Sequence, residues 1–578
     1  VRARSPTDAE HPLLRRLIGL ENEYALRVDG DLDWRALFEA FLSITANLTP
    51  VVRDSRRSSD HSFFTANGGG FQLETEPLAN RRVEGSPNRS LIEGKTPECR
   101  GPRQTLAYQK AQERLVLEAV DTLSATDPRV RGVLRNARDA DGNVFGPQEN
   151  YEVVVARGAA LFLYRVAMVL CAVVVVVWLA CAAMLLLALA LPVVAPLAVV
   201  ALAVAGAAAL RGRQTARSAV HDLATVLFDR LCYDPATGPP RALLRAMIGF
   251  FWPMTSLPLC VAGALCFRAE RRALTAFLAS RVAVTGTGCL RDGALSLSEK
   301  APSVVGIART NIRDGIHVFE LHTFCKPFQL LPYLEGRPFA RLLRQRQRLQ
   351  LAYSDANRCE VAEYLKLATT SLLLDLVERG ALDDAPRLRD PVRALHALAG
   401  DATLQTAVDV VGRPPMTALA LQRWYQARAA AFVDAQSVVD LEVREVVRVW
   451  GDVLDKLERN RGALIGVLDW PTKQALLETA GKGLSAAARQ KLALRYHELG
   501  VGSFADLERE GVAVRLVDDD EIERAMHDPP DGSPAALRGR LVRELRGRLD
   551  IRIDWGTVEV GSGSGARIYQ LFDARRPR

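Results

Sequence analysis

Carboxylates at every second position are the residues of this chain best placed to do chemistry. Glu21 and Glu23 lie in RLIGLENEYALRV (16–28), a stretch of β character whose period of two puts both on one face. In SFFTANGGGFQLETEP (62–77) the Gly68-Gly69-Gly70 run reads as a turn that leads into a strand. That strand carries Gln72, Glu74 and Glu76 on one face and Phe71, Leu73 and Thr75 on the other. Glu93 and Glu98 precede a helix opened by Pro102, and Glu149 belongs to a later strand in DGNVFGPQENYEVVVA (141–156). Such spacing fits a solvated sheet face. It also fits a hard-cation site, where Mg2+ takes oxygen ligands and holds nucleotide phosphates while a remaining carboxylate acts as base or nucleophile. Spacing alone leaves both open.

The elements that position these groups belong to a large globular chain. At 578 residues it has room for three or four units of about 150 residues each. The composition, 49% hydrophobic and 25% charged, supports a sizeable core. The basic residues behind the net charge of +8 are scattered rather than gathered in one block, with much of the excess beside apolar segments, and no nucleic-acid-reading motif is present, so no nucleic-acid partner is expected. Nine cysteines without a CxxC pair or a Cys/His cluster point to a reducing compartment with no disulfides. The first residues, VRARSPTDAEHP, contain no apolar run of the signal-peptide kind.

One block does not fit a soluble enzyme. VLCAVVVVVWLACAAMLLLALAL (169–191) lies in a run from Val166 to Leu210 without a charged residue. A crossing takes ~20 residues, so the run predicts two helices, about 166–188 and 193–210, with a turn at Pro192 and Pro196. Arg157 and Arg165 before it, and Arg211, Arg213 and Arg217 after it, place both ends in the cytoplasm as a hairpin. A second stretch, 246–267, is broken by Pro253 and Pro258 and flanked by arginines on both sides, which predicts a re-entrant segment or a third span. The expected location is a membrane, through contact with lipid, with the catalytic part on its cytoplasmic face.

Taken in order, GLENEY, TANGGGFQLE, EGKTPECR and DADGNVFGPQENY resemble the Pup ligase and Pup deamidase/depupylase family. The similarity resumes after the apolar block with LTAFLASRVAVTGTG, TNIRDGIH (310–317), YSDANRCEVAEYLKLATTSLLLDLVE (353–378), LDWPTK (468–473), LRYHE (494–498) and RIDWGTVEV (552–560). It covers most of the chain outside about 160–268.

The resemblance implies an α+β fold of the glutamine synthetase-like, carboxylate–amine ligase kind, with an antiparallel-rich sheet and packed helices. The catalytic domain would comprise 1–160 and 269–464, interrupted by the membrane insertion 161–268 and followed by a small domain, 465–578. It implies ATP and Mg2+ as cofactors. Glu21 and Glu93 match metal ligands, with Glu149 a weaker third; Thr96, Arg313 and Trp555 match nucleotide contacts; and Glu74 falls where the family has a catalytic aspartate. Arg313 would also neutralise charge on the transferred phosphoryl group. The expected reaction joins a glutamate side chain of a Pup-like modifier to a lysine of a target protein for the proteasome system. The family's other branch hydrolyses the amide or isopeptide, and a membrane-anchored nucleotide-binding scaffold without turnover is the third reading. Where the family shows Arg-x-Tyr-x-Asp, this chain has Gly70-Phe71-Gln72-Leu73-Glu74, so a nucleotide-contacting arginine and a metal-contacting tyrosine are missing.

Overall fold

The structure is a computed structural model and describes residues 12–30, 32–53, 62–75, 90–140, 142–210, 254–291, 293–310, 315–325, 328, 339–548, 550–561 and 566–572. The alternating segment at 16–28 forms β1 (Leu17–Val28). It is followed by β2 (Val51–Arg53), β3 (Ser62–Thr65), β4 (Gly70–Thr75), β5 (Ser90–Lys95), β6 (Cys99–Arg100), β7 (Val130–Leu134) and β8 (Gln148–Val154). Later come β9 (Cys289–Arg291) and β10 (Ala294–Ser296), which form a separate hairpin, then β11 (Val304–Ala308), β12 (Ile316–Glu320) and β13 (Arg346–Leu351). The main sheet has 11 strands in the order β11-β12-β13-β8-β1-β5-β4-β3-β2, with β6 and β7 also paired to β1. Only β11 and β12 run parallel in it, so the antiparallel-rich α+β expectation holds.

Cross-strand partners project to the same side of a sheet, and here the register separates two chemistries. Leu20, Asn22 and Tyr24 of β1 share a side with Ile92 of β5, Tyr151 of β8 and Leu349 and Leu351 of β13. Helices cover this side. Helix α1 (Trp34–Leu48) starts on Asp33, whose side chain accepts from the Arg35 and Ala36 amides, and buries Phe38 and Phe41 against Phe63 and Phe71. Helix α2 (Pro102–Thr126) begins with Pro102 and lays Gln112 on the sheet, where its Oε1 accepts from Asn22 Nδ2 and Tyr24 Oη, both at 3.0 Å. A Cβ on Gly94 would sit 2.6 Å from Gln112, so only glycine admits this approach. The helix Glu360–Glu378 is buried along its whole length. Its charged groups persist there because they are ion-paired or hydrogen-bonded, as in Arg16–Asp375 at 2.5 Å, Arg135–Glu363 at 3.1 Å and Glu360 on the Leu516 and Val517 amides.

Glu149 also points into this helix layer. It is fully buried, its carboxylate is held by Arg281 at 2.5 and 2.9 Å, and it accepts from Tyr151 Oη at 2.7 Å. The weaker metal ligand expected from the sequence is thus a structural ion pair, one residue out of phase with the other carboxylates.

The apolar block also departs from expectation. Residues Gly158–Leu210 form one continuous helix, α3, that passes through Pro192 and Pro196 without a turn. A proline removes one backbone donor and bends a helix, yet within a long apolar helix it does not have to end it. The predicted turn at Pro192 and Pro196 is therefore not formed among the described residues. Among the described residues one helix is long and apolar enough to cross a membrane, its Gly158–Leu185 part having a mean hydropathy of 2.9. Of the expected re-entrant segment, 246–253 lie outside the described residues, and Met254–Leu265 is a short helix with Met254, Leu259 and Ala262 buried in the protein core.

The packing changes later than residue 465. Leu468, Trp470, Tyr496, Phe504 and Met526 still belong to the large core. A second, small core gathers Leu541, Val542, Leu545, Ile551, Ile553, Val558 and Leu571 against Val52 and Phe64 of β2 and β3. Truncating Glu149 strands the Arg281 guanidinium in the interior. Glu149→Ala is expected to cost about 3–5 kcal/mol in chemical denaturation, whereas Glu21→Ala on the opposite side should cost under about 1 kcal/mol. Equal, small losses would contradict the two-sided assignment.

Candidate active site

The other side of the sheet collects the remaining carboxylates. Glu21 and Glu23 on β1 stand opposite Lys95 and Glu93 on β5, and Gln72 on β4 stands opposite Glu93, with Glu74 two residues further along β4. The same register adds Gln148 of β8 beside Glu21, and Gln350 of β13 beside Asn150. Three strands far apart in sequence therefore bring Glu21, Glu74 and Glu93 together, as the period of two requires. The Thr65–Gly70 hairpin holds β4 in place: Gly68 has φ +81°, and the Asn67 side chain accepts from the Gly69 amide at 2.9 Å.

Each carboxylate here has its own company. Glu21 accepts from Arg348 Nη1 at 2.9 Å and from Gln350 Nε2 at 3.2 Å. Glu93 lies 2.7 Å from the Lys95 ammonium, which also donates to Gln72 Oε1 at 2.9 Å. Glu23 accepts from the Gly146 amide at 2.6 Å. Lys300 is buried nearby and donates to the carbonyls of Gly146, Pro147 and Ala352. Burial, together with the charge of Glu74, pushes the Glu23 carboxyl up to about 8. Burial also raises Glu93 to about 7, against the opposing pull of Lys95. Glu74 keeps contact with solvent, but the surrounding protein still desolvates it and raises its carboxyl; it is hydrogen-bonded to Glu23. Lys300 is lowered to about 8 by burial. Two neighbouring carboxyls, both with raised proton affinities, can pass a proton between them and to a bound group.

The expected nucleotide contacts flank this group. Thr96 is buried at the end of β5, where its Oγ1 accepts from the Leu20 amide and its own amide donates to the Leu20 carbonyl, both at 2.9 Å. It locks β5 to β1 in register. Trp555 is half-buried, packs edge-on to Phe64 at 5.2 Å and lies 4.4 Å from the Arg538 guanidinium. Arg538 donates to the carbonyls of Gly68 and Trp555 and pairs with Glu98 at 2.5 Å, pinning the small core to the β3–β4 hairpin. Phe64 pairs with Gly70, which pairs with Lys95 in turn, so Trp555 stands on the carboxylate side. Arg313 and Glu76 lie outside the described residues.

Magnesium fits these residues poorly. Among the described residues no three Asp, Glu, His or Cys side chains converge as a metal centre needs. Their negative charge is met by Lys95, Lys300 and Arg348 instead. Sequence reasoning missed these three cations. Lys95 was within reach, being two residues after Glu93 on a strand. Arg348 and Lys300 arrive from distant segments and carry no local signal.

The raised carboxyls have a measurable consequence. Folding favours their protonated forms, so this part of the stability is complete below the ordinary carboxylate value of 4.5 and is lost as pH rises through about 7 and about 8. Thermal denaturation is expected to show a melting temperature falling from pH 5 to 8.5, with a shallower fall in Glu23→Gln. An identical slope in that variant would contradict the assignment.

The chain is similar to known proteins in sequence and in fold. The sequence model of the family described as Pup-ligase protein matches residues 16–559. The Pup deamidase/depupylase of Mycolicibacterium smegmatis is 32% identical over 326 residues, covering 54% of this chain and 62% of that protein. The Pup–protein ligase of Acidimicrobium ferrooxidans is 34% identical over 217 residues, covering 36% of this chain and 48% of that protein. The chain thus spans less than two thirds of these curated relatives. In fold it is similar to the ligase PafA in complex with the prokaryotic ubiquitin-like protein Pup, with a TM-score of 0.60, 18% identity and coverage of 96% of this chain and 89% of that one. It is also similar to PafA in complex with ADP, with a TM-score of 0.56, 17% identity and coverage of 94% and 91%. The chain belongs to the Pup-ligase family.

Proposed function

We propose that the carboxylate side of the sheet joins a glutamate side chain of a Pup-like modifier to lysine amines of target proteins, with ATP as a substrate. Phosphoryl transfer from ATP to the glutamate carboxylate gives an acyl phosphate and ADP. A lysine amine attacks its carbonyl carbon, phosphate leaves, and an isopeptide bond remains. The amine attacks only after losing a proton, and Glu74 is the acceptor in this reading, its carboxyl raised by burial and standing beside Glu23. The observation that carries the proposal is the gathering of Glu21, Glu23, Glu74 and Glu93 on one side of the sheet, the side of Trp555, whose half-buried ring offers a surface for a nucleotide base. Thr96 keeps β5 and β1 in register beneath it. Arg313 would neutralise charge on the transferred phosphoryl group.

A second reading, hydrolysis of a carboxamide or isopeptide, draws support from the larger share of the chain matched by the deamidase/depupylase relative, 54% against 36% for the ligase. Glu74 would then take the proton of a water. Both readings place the product or substrate in a modification pathway that leads to the proteasome. Exposed Phe162, Leu163, Leu170, Val173 and Val177 on α3 support a lipid-facing anchor that holds the enzyme at a membrane, with the sheet on the cytoplasmic side.

Incubation with ATP, a target protein and modifier peptides ending in Glu or Gln separates the two directions. The ligase reading expects conjugates and ADP from the Glu-ended peptide; ammonia from the Gln-ended peptide without conjugates would favour hydrolysis. Glu74→Gln is expected to lower turnover by at least ~100-fold, while ADP affinity changes by less than about threefold. Unchanged turnover in that variant would remove Glu74 from its role.

A further inference from the structure

Lys95 has a placement that the proposed chemistry leaves unused. It is directly opposite Glu21 on β1 and Gly70 on β4. Gly70 has no side chain, so Lys95 meets none at the position directly opposite. Its ammonium sits 2.7 Å from Glu93 Oε2 and 2.9 Å from Gln72 Oε1, and Gln72 and Glu93 are themselves cross-strand partners. The stem is largely covered, with 20% of the side chain exposed. A cation is thus fixed among a carboxylate oxygen, an amide oxygen and the strand position of a second carboxylate.

An ammonium held at hydrogen-bond distance from these oxygens repels a divalent ion and offsets the negative charge that such an ion draws from ligands within ~2.0–2.6 Å. The two occupants oppose one another. Glu21 is likewise met by donors, from Arg348 and Gln350. The charge of Lys95 offsets that of Glu93, which is the service a bound metal would perform.

We propose that Lys95 is a built-in counter-ion, its ammonium occupying the place among Glu93, Gln72 and Glu21 that a divalent cation would otherwise take, so that the carboxylate face stays assembled without a resident metal. The inference rests on reading this face as the functional site, but it concerns cation binding alone. Removing the charge while keeping the apolar stem should open the site. Lys95→Met is therefore expected to bind Mn2+ at least about tenfold more tightly than the parent protein, a difference of ~1.4 kcal/mol.

The experiment is a Mn2+ titration of the full chain, followed by electron paramagnetic resonance, without nucleotide or modifier. Thermal denaturation in EDTA and in excess Mg2+ accompanies it. The parent protein is expected to bind Mn2+ only at millimolar levels and to melt at the same temperature in both buffers. Lys95→Met should melt lower in EDTA and recover with Mg2+. Micromolar Mn2+ binding by the parent protein overturns the proposal even if the variant fails to fold, as does a folded variant with no gain in affinity. A protein that shows this exchange but no activity on modifier peptides would sink the functional reading and leave the counter-ion standing.

Discussion

The register of β1 is the constraint on which the rest of the molecule depends. It is hydrogen-bonded to β5 on one side and β8 on the other, with β6 and β7 joined at its ends. A slip by one residue would send Glu21 and Glu23 into the helix layer and Leu20, Asn22 and Tyr24 to the other side. Two local features oppose the slip. The Thr96–Leu20 pair of hydrogen bonds fixes β5 against β1, and Gln112 locks Asn22 and Tyr24 from above through space that Gly94 leaves free. Helix packing on one side thus fixes which carboxylates meet on the other.

The same residue types serve two ends according to that side. In the helix layer, Glu149–Arg281 and Arg16–Asp375 are buried pairs whose oxygen and nitrogen atoms are committed to each other and to neighbouring groups. They hold elements together, and breaking one leaves a charge in a low-dielectric interior. On the carboxylate side, Glu23, Glu74 and Glu93 are desolvated but less fully compensated, and their raised proton affinities record the difference. Crowding of like charge is costly to the fold and useful for proton transfer. Trp555 and Arg538 bring the second, small core to the edge of the same side, so the site is shared between the two cores.

Much of this was legible from short-range periodicity. Alternation placed Glu21 with Glu23 and Gln72 with Glu74 on common faces, and the glycine run marked the β3–β4 turn. Glu149 shows the limit, because a strand's own period cannot say which of its two faces meets a given partner; that is fixed by pairing with Leu20 and Leu351. The cations escaped for the same reason: Arg348 reaches Glu21 across 327 residues of chain. Pro192 and Pro196 suit a turn by residue type, but an apolar helix without competing polar partners continues through them.

The central claim is that the side of the sheet bearing Glu21, Glu23, Glu74 and Glu93 is where nucleotide and modifier chemistry meet. Photolabelling with an 8-azidoadenosine diphosphate, followed by mass spectrometric mapping, tests it most directly. The account predicts label on the hairpin that carries Trp555, residues 551–560, or on β3 beneath it, residues 62–65. Label confined to the distant helix pair Ala418–Asp434 and Leu441–Arg459, with those strands unmarked, would contradict it.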